Sequence, residues 1–367
     1  MTNKILVISY FPDDVNTYPH LNDVRRALTF NAEVEYFHFR LNGIWYADRL
    51  VSVLKYPWRK ENLVVISDIL KLIIKGTKSY KAVIAMDELL YVLSAFLFVK
   101  HNNIFLWSFD FITCDQKIFN TPIYRLFRMF FRKALKRRKG LIIQHRERLA
   151  LLLKCLRLNE DAVIPFYLPI SRFPLAQTTL GRISDPIRLL QMGYINCHRS
   201  QSHRILEVFQ SNSDQFLLIL HGHIDSEMHI LISQGLVMPL VSNGFIDQAD
   251  VWQIVQKCDI GYICYCADDE NNKHILFASG QLVEYLRCGK PVIIYSNTNL
   301  NSFISSERVG IVIDDPVEVP AAVVAIRNDY ALYSRNALAC YEMYFNLTKY
   351  VPQLERFLAN SCMNADA

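Results

Sequence analysis

Glycine is scarce in this chain. It supplies 12 of the 367 residues, about 3% where roughly 7% is usual, which excludes a collagen-like repeat and makes the place of each glycine informative. No CxxC pair occurs among the nine cysteines (114, 155, 197, 258, 264, 266, 288, 340 and 362). Their odd number and scatter suit a reducing compartment and not a disulfide framework, and Cys264 and Cys266, alternating along one strand face, read as packing residues. Long apolar runs are missing too: LLYVLSAFLFV, Leu89 to Val99, falls short of the roughly 18 to 20 residues a membrane-spanning helix needs. No repeat of about 20 to 50 residues is visible, so a solenoid is not expected. The opening MTNKILVISYF lacks a small-residue cleavage site and reads as a first strand, so the expected location is cytoplasmic.

What is present is a globular composition, 51% hydrophobic and 20% charged, which excludes disorder; the length allows two or three domains. Three glycines (Gly43, Gly76, Gly140) lie in the first 170 residues and nine between 181 and 310, so the halves differ. In the first half, β-branched runs at Ile5 to Ser9, Val34 to Phe39, Ala82 to Ala85, Ile104 to Trp107, Leu141 to Ile143 and Ala162 to Ile164 alternate with helical patterns. The second half repeats the scheme at Ile187 to Met192, Phe216 to Leu220, Leu240 to Val241, Ile260 to Tyr262, Val292 to Ile294 and Ile311 to Ile313. Such alternation predicts βα units feeding two parallel sheets, too many strands for one domain. Pro165, Pro169, Pro174 and Pro186 mark an extended connection between them. The predicted domains are therefore 1–168 and 169–345, with a helical pattern from Tyr333 through Leu358 near the end. Ligands of parallel sheets bind outside the carboxyl ends of the strands, at loops that lead into helix N-termini.

Two segments of the second half carry candidate chemistry. In LLQMGYINCHRSQSHRILEVF, Gly193 lets the backbone turn closely around a ligand and Arg199 follows six residues later. An arginine there, with permanent charge and a planar fork of donors before a helix N-terminus, suits a phosphate. In FASGQLVEYLRCGKPVII, Ser279 is placed to cap a short helix with the apolar face Leu282, Tyr285 and Leu286, and Gly289 is placed to end it. Glu284 is the sole acid of that helix and is suited to accept hydrogen bonds from a ribose diol, although a lone helical glutamate is more often solvated.

The order GYINCHR, LLILHGH, VSNGFIDQADVWQIVQKCDIGYI, SGQLVEYLRCGKPVI, VGIVIDD resembles the donor-binding domain of GT-B glycosyltransferases, especially the retaining family 4 type (glycosyl transferases group 1). The resemblance spans about 187 to 315. It implies an α/β chain of two Rossmann-like, doubly wound parallel-sheet domains facing a cleft. The closing segment 346–367 would return as a helix to the N-terminal, acceptor-side domain. It further implies transfer of a hexose from a nucleotide-diphosphate sugar to a glycan or lipid-linked acceptor, with retention, in cell-surface polysaccharide biosynthesis. No cofactor or essential metal is implied. Arg199 would clamp the donor diphosphate and Glu284 hold the ribose. Gly193, Tyr194, Gly244, Ile246, Ser279, Gly280 and Leu282 would line the rest of the nucleotide site. The chain departs from the family pattern at Tyr194, where a cation is usual, at Leu276, where a second glutamate is usual, and at Gln281, where a lysine is common. The loop residues Asp268, Asp269, Glu270, Asn271, Asn272 and Lys273 are candidates for sugar contact or plain solvation. His221 and His223 flank a glycine without a third metal ligand. A nucleotide-sugar epimerase on the same fold, or a non-catalytic nucleotide- or glycan-binding homologue, are the alternatives.

In the first half, His20, Asp87 and Asp110 follow predicted strands. Of these Asp110 is the expected catalytic residue, a carboxylate beside the donor sugar. The segment 123–139 carries eight cations and no acid, although the whole chain is only +5. A helix there puts Arg125, Arg128, Arg132, Lys136 and Lys139 on one side and Ile123, Phe127, Phe130, Phe131 and Ala134 on another. That pattern fits a peripheral helix on an anionic membrane, at the inner face of the plasma membrane. It equally fits a surface helix that buries its phenylalanines in its own domain. Nucleic acid is not expected, because the charge is confined to one helix and no recognition module is visible.

Overall fold

A computed structural model describes residues 3–10, 19–29, 31–40, 58–138, 140–176, 183–243, 250–265, 270–296 and 298–360. The backbone divides into two compact units, one of residues 1–15, 24–168 and 349–367, the other of 16–23 and 169–348.

The first unit is built on the strands β1 (Lys4–Ser9), β2 (Glu33–His38), β3 (Ala82–Met86), β4 (Ile104–Trp107), β5 (Gly140–Ile143) and β6 (Ile164–Tyr167). They form one parallel sheet in the order β2-β1-β3-β4-β5-β6. Its helices are α1 (Pro19–Thr29), whose first residues count with the other unit, α2 (Lys60–Gly76), α3 (Glu88–Leu97), α4 (Pro122–Arg138) and α5 (Arg146–Leu156). β3, β4 and β5 are buried along their whole length, as expected of parallel strands covered on both faces. β6 starts two residues later than its apolar run predicts, because Glu160–Ala162 winds into a 3-10 turn. It tolerates Pro165 because it is the edge strand, where a missing N–H leaves no ladder bond unmade.

The second unit contains β7 (Ile187–Ile195), β8 (Phe216–Ile224), β9 (Leu240–Asn243), β10 (Ile260–Tyr265), β11 (Val292–Ser296) and β12 (Gly310–Ile313). These form a parallel sheet in the order β12-β11-β10-β7-β8-β9, the strand order of a dinucleotide-binding domain. Its longer helices are α6 (Ser202–Ser211), α7 (Ser226–Gln234), α8 (Val251–Gln256), α9 (Gly280–Arg287), α10 (Leu300–Glu307), α11 (Val319–Asn328) and α12 (Tyr330–Cys340). Neighbouring strand residues point to opposite faces, so Leu189 and Tyr262 join one core while Leu190 and Ile263 join the other.

Near the end, the pattern from Tyr333 to Leu358 is two helices, not one. α12 stops at Cys340, Asn346 is extended and bridges in parallel to Arg172, and α13 (Val351–Asn360) begins afresh. Phe357 of α13 packs on Phe105 and Phe166, with ring centroids 5.3 Å apart in both pairs. Among the described residues no helix is long and apolar enough to cross a membrane. Cys264 is buried, while Cys266 lies outside the described residues.

Candidate functional site

Strand order reverses between β7 and β10 in the second sheet, which places a crevice outside the carboxyl ends of these two strands. Near its end β7 passes through Gly193 at φ +103°, directly opposite Gly222 of β8 at φ +129°. A Cβ on Gly222 would stand 2.0 Å from the Gly193 carbonyl oxygen, and one on Gly193 would stand 2.7 Å from Gln281 Nε2. The backbone conformation therefore demands glycine at both positions, and the close approach to a carbonyl demands it again at Gly222. The two glycines bring two strand exits and the first turn of α9 together. The next pair in register, Tyr194 and His223, stacks with centroids 5.0 Å apart and planes at 10°, a half-exposed aromatic platform where the family pattern has a cation. His221, one position before Gly222, is buried, and burial holds its imidazole below the ordinary value.

The turn after β7 is organised by Asn196. Its Oδ1 accepts from the amides of His198 (2.9 Å) and Arg199 (2.6 Å), and Ser200 Oγ donates to its carbonyl. The backbone donors of the turn are thus spent locally. What it presents is the Arg199 side chain, exposed and without an ion pair among the described residues.

Ser279 caps α9 by accepting from the Leu282 amide at 3.1 Å, and its hydroxyl also meets Tyr265 Oη at 2.8 Å. The Val283 amide reaches the Ser279 carbonyl. The amides of Gly280 and Gln281 are left without an intrahelical acceptor, as the first residues of any helix are. Gly280 is exposed, with open space where a Cβ would stand. The Leu282 side chain is core, so only its backbone lies at this helix end.

Glu284 stands one turn inside α9 and is buried. Its Oε2 accepts from Arg287 Nη2 at 2.7 Å, and its Oε1 lies 3.3 Å from Arg172 Nε. That second contact lacks hydrogen-bond alignment, so Oε1 accepts no hydrogen bond among the described residues. A buried acceptor left unmet costs about 1–3 kcal/mol, which marks Oε1 as a place for a ligand donor. Arg172 is shared with Asp23, Nε to Oδ2 2.9 Å.

Other expectations are placed differently. Leu276, at the family's second glutamate position, is a core residue whose amide donates to Asn299 Oδ1. Glu270 and Lys273 pair with each other at 2.6 Å and Asn271 is buried. Gly244, Ile246, Asp268 and Asp269 lie outside the described residues. His20 belongs to the second unit by its contacts: buried, it accepts from the Ser171 amide at 3.1 Å, and burial pushes its imidazole down to about 4. Among the described residues no group of three His, Cys, Asp or Glu converges as a metal site.

In the first unit, Asp110 is exposed and pairs with the fully buried Arg148 at 2.7 Å. Asp87 caps α3 from a backbone at φ +93°, accepting from the Leu89 amide. Burial pushes its carboxyl up to about 7, against hydrogen bonds from Leu89 and Tyr10. α4 buries part of its predicted apolar side. Phe131 and Ala134 face the core, and Arg138 is buried, donating to Asn102 Oδ1 and the carbonyls of Phe98 and Val99. The apolar residues α4 exposes are Ile123, Leu126, Met129 and Phe130; Lys139 lies outside the described residues.

A family model, the glucosyltransferase 3-like C-terminal domain, matches residues 265–343, which include α9 and its cap. Among curated proteins no sequence matches significantly. Solved structures match over nearly the whole chain. HepE of Anabaena in complex with UDP has a TM-score of 0.65 at 13% identity, covering 98% of this chain and 100% of its own. WaaG, a glycosyltransferase involved in lipopolysaccharide biosynthesis, has 0.62 at 13%, covering 96% and 98%. The UDP-forming α,α-trehalose-phosphate synthase of Burkholderia vietnamiensis has 0.65 at 9%, covering 100% and 99%.

The fold is GT-B. Within it, Gly193 and Tyr194 lie at the end of β7, the first turn of α9 behind Ser279 meets Gly193 through Gln281, Glu284 stands further along α9, and Arg199 is on the turn that follows β7. Three participants escaped sequence reasoning. Arg287 was detectable as the cation three residues after Glu284 on the same helix side. Arg172 and Asp23 come from distant segments that carry no local signal.

Proposed function

We propose that this chain is a glycosyltransferase of the retaining family 4 type, using a nucleotide-diphosphate hexose as donor. The observation that carries this reading is Glu284 Oε1, a buried acceptor without a hydrogen bond, one turn inside the capped helix whose first turn meets Gly193. A ribose hydroxyl supplies the donor it lacks. The diphosphate fits the open amides of Gly280 and Gln281 together with Arg199, where a helix N-terminus and a guanidinium both favour negative charge. HepE, on the same fold, is solved in complex with UDP, which supports a nucleotide-sugar donor. In the reaction the bond from the anomeric carbon to the diphosphate breaks with its electrons leaving on phosphate. The acceptor oxygen bonds that carbon, and the hydroxyl proton passes to the departing diphosphate. Arg199 stabilises the charge that develops there. Asp110, neutralised by Arg148, is the first unit's carboxylate in this scheme.

The acceptor is a glycan or a lipid-linked glycan of cell-surface polysaccharide synthesis, met in the cytoplasm at an anionic membrane surface. Support for the membrane comes from α4, where Ile123, Leu126, Met129 and Phe130 are exposed beside Arg125, Lys133, Lys136 and Arg137, with no acid on the helix. Phe96 of α3 extends the apolar patch through its ring contact with Phe130. One observation favours the non-catalytic alternative, the core leucine at 276, and nucleotide binding without turnover would select it.

Isothermal titration with UDP, ADP, GDP and dTDP tests the reading. One nucleotide is expected to bind, and to bind more weakly to Arg199→Ala and Glu284→Gln. No binding of any, or binding unchanged in both variants, overturns it.

A further inference from the structure

Glu284 does not stand alone, and the residues that hold it are as closely specified as the glutamate itself. Arg287 approaches from the same helix and spans two acceptors, Glu284 Oε2 at 2.7 Å through Nη2 and the Phe173 carbonyl at 3.3 Å through Nη1. Arg172 approaches from the segment that enters the second unit. Its backbone is fixed on three sides: its amide donates to the Phe345 carbonyl (3.1 Å), and its carbonyl accepts from the Leu347 amide (2.9 Å) and Tyr341 Oη (2.9 Å). Asp23 lies 2.9 Å from Arg172 Nε and accepts from the Phe173 amide at 3.4 Å. Two guanidinium groups thus face two carboxylates, and Arg172, Glu284 and Arg287 are all buried.

We infer that Arg287 and Arg172 are positioning residues for the ribose of a nucleotide: they lock the Glu284 carboxylate in one orientation and leave Oε1 directed to the diol. The inference rests on the nucleotide-sugar reading and extends it to residues that touch no donor. Its chemistry is that of a carboxylate with several lone-pair sites: Oε2 accepts from Arg287, and Oε1, in ionic contact with Arg172 at 3.3 Å, accepts no hydrogen bond among the described residues. A planar fork serves two acceptors at fixed angles; an ammonium is a single point and serves one. Arg287→Lys therefore keeps the charge and loses the lock.

The test compares UDP with 2′,3′-dideoxy-UDP by calorimetry on the full chain carrying Arg287→Lys, Arg287→Ala, Arg172→Lys or Glu284→Gln, with thermal melting to confirm folding. Wild type is expected to prefer UDP by about 10- to 100-fold, the range of a hydrogen bond to a charged group. Each arginine variant is expected to lower UDP affinity by about 10-fold while leaving the dideoxy affinity within about 2-fold, so that the preference collapses. Arg287→Lys gives this readout even where Arg287→Ala fails to fold. Equal weakening of both nucleotides, the mark of a purely structural role, overturns the inference, as does an undiminished preference. A preference that survives Glu284→Gln instead overturns the ribose reading beneath it.

Discussion

Two glutamates, one in each unit, are buried to the same degree, Glu88 at 6% exposure and Glu284 at 5%, yet their surroundings are opposite. Glu88 opens α3 after β3, beside Asp87; burial first, and the Asp87 charge second, push its carboxyl well above the usual range, with only the Tyr124 hydroxyl opposing. Glu284 sits in α9 between two guanidinium groups. Similar burial thus meets an acid and a hydroxyl at Glu88, and two guanidinium groups at Glu284. Glu88 stands beside an acid at a helix start, whereas Glu284 is ion-paired, with one oxygen that accepts no hydrogen bond among the described residues.

The largest expected effect comes from breaking the pair. Glu284→Ala leaves the buried Arg287 without its carboxylate and Arg172 with Asp23 alone, and urea unfolding is expected to show a loss of about 3–5 kcal/mol. Gly222→Ala follows, at about 2–4 kcal/mol, because its Cβ meets the Gly193 carbonyl at 2.0 Å in a backbone conformation side chains avoid. Third is pH. The His20 imidazole falls from 6.5 unfolded to about 4 folded, so its contribution is whole above pH 6.5 and is lost as pH falls toward 4, by about 2 kcal/mol at pH 5. Asp87 runs the other way: its folded value of about 7 exceeds the ordinary 3.8, so its contribution is whole below pH 3.8 and lost as pH rises through 7. Hydrogen exchange from pH 7 to pH 5 should therefore loosen the second unit's core around Ser171 and tighten the first unit's around Leu89. The smallest effect is Glu88→Gln, expected to change stability by less than about 1 kcal/mol at pH 7, since a neutral carboxyl and an amide hydrogen-bond alike. A loss comparable to that of Glu284→Ala would erase the contrast.

The strands were legible because parallel strands covered on both faces are unbroken apolar runs, and most observed ends fall within two residues of those runs. Exceptions have local causes, such as the 3-10 turn at Glu160–Ala162 and the extended Asn346 that divides the final helical pattern. In the site, the Ser279 cap and the left-handed Gly289 were readable because caps and stops are chemistry of single residues. Helix periodicity arranged the residues of α4 around its axis, but it holds no record of which side the sheet covers, so it did not tell the buried Phe131 and Ala134 from the exposed Ile123 and Phe130. Arg172 and Asp23 reach Glu284 only through the fold, and no spacing rule connects them.

The central claim, that the second unit's crevice takes a nucleotide-diphosphate sugar for transfer, is tested most directly by following donor turnover by NMR, with lipid and glycan extracts as acceptor. One donor is expected to be consumed with release of its nucleoside diphosphate, and Glu284→Gln and Arg199→Ala, still folded, are expected to abolish consumption. Undiminished turnover in both variants, or no consumption of any donor by the intact chain, would contradict it.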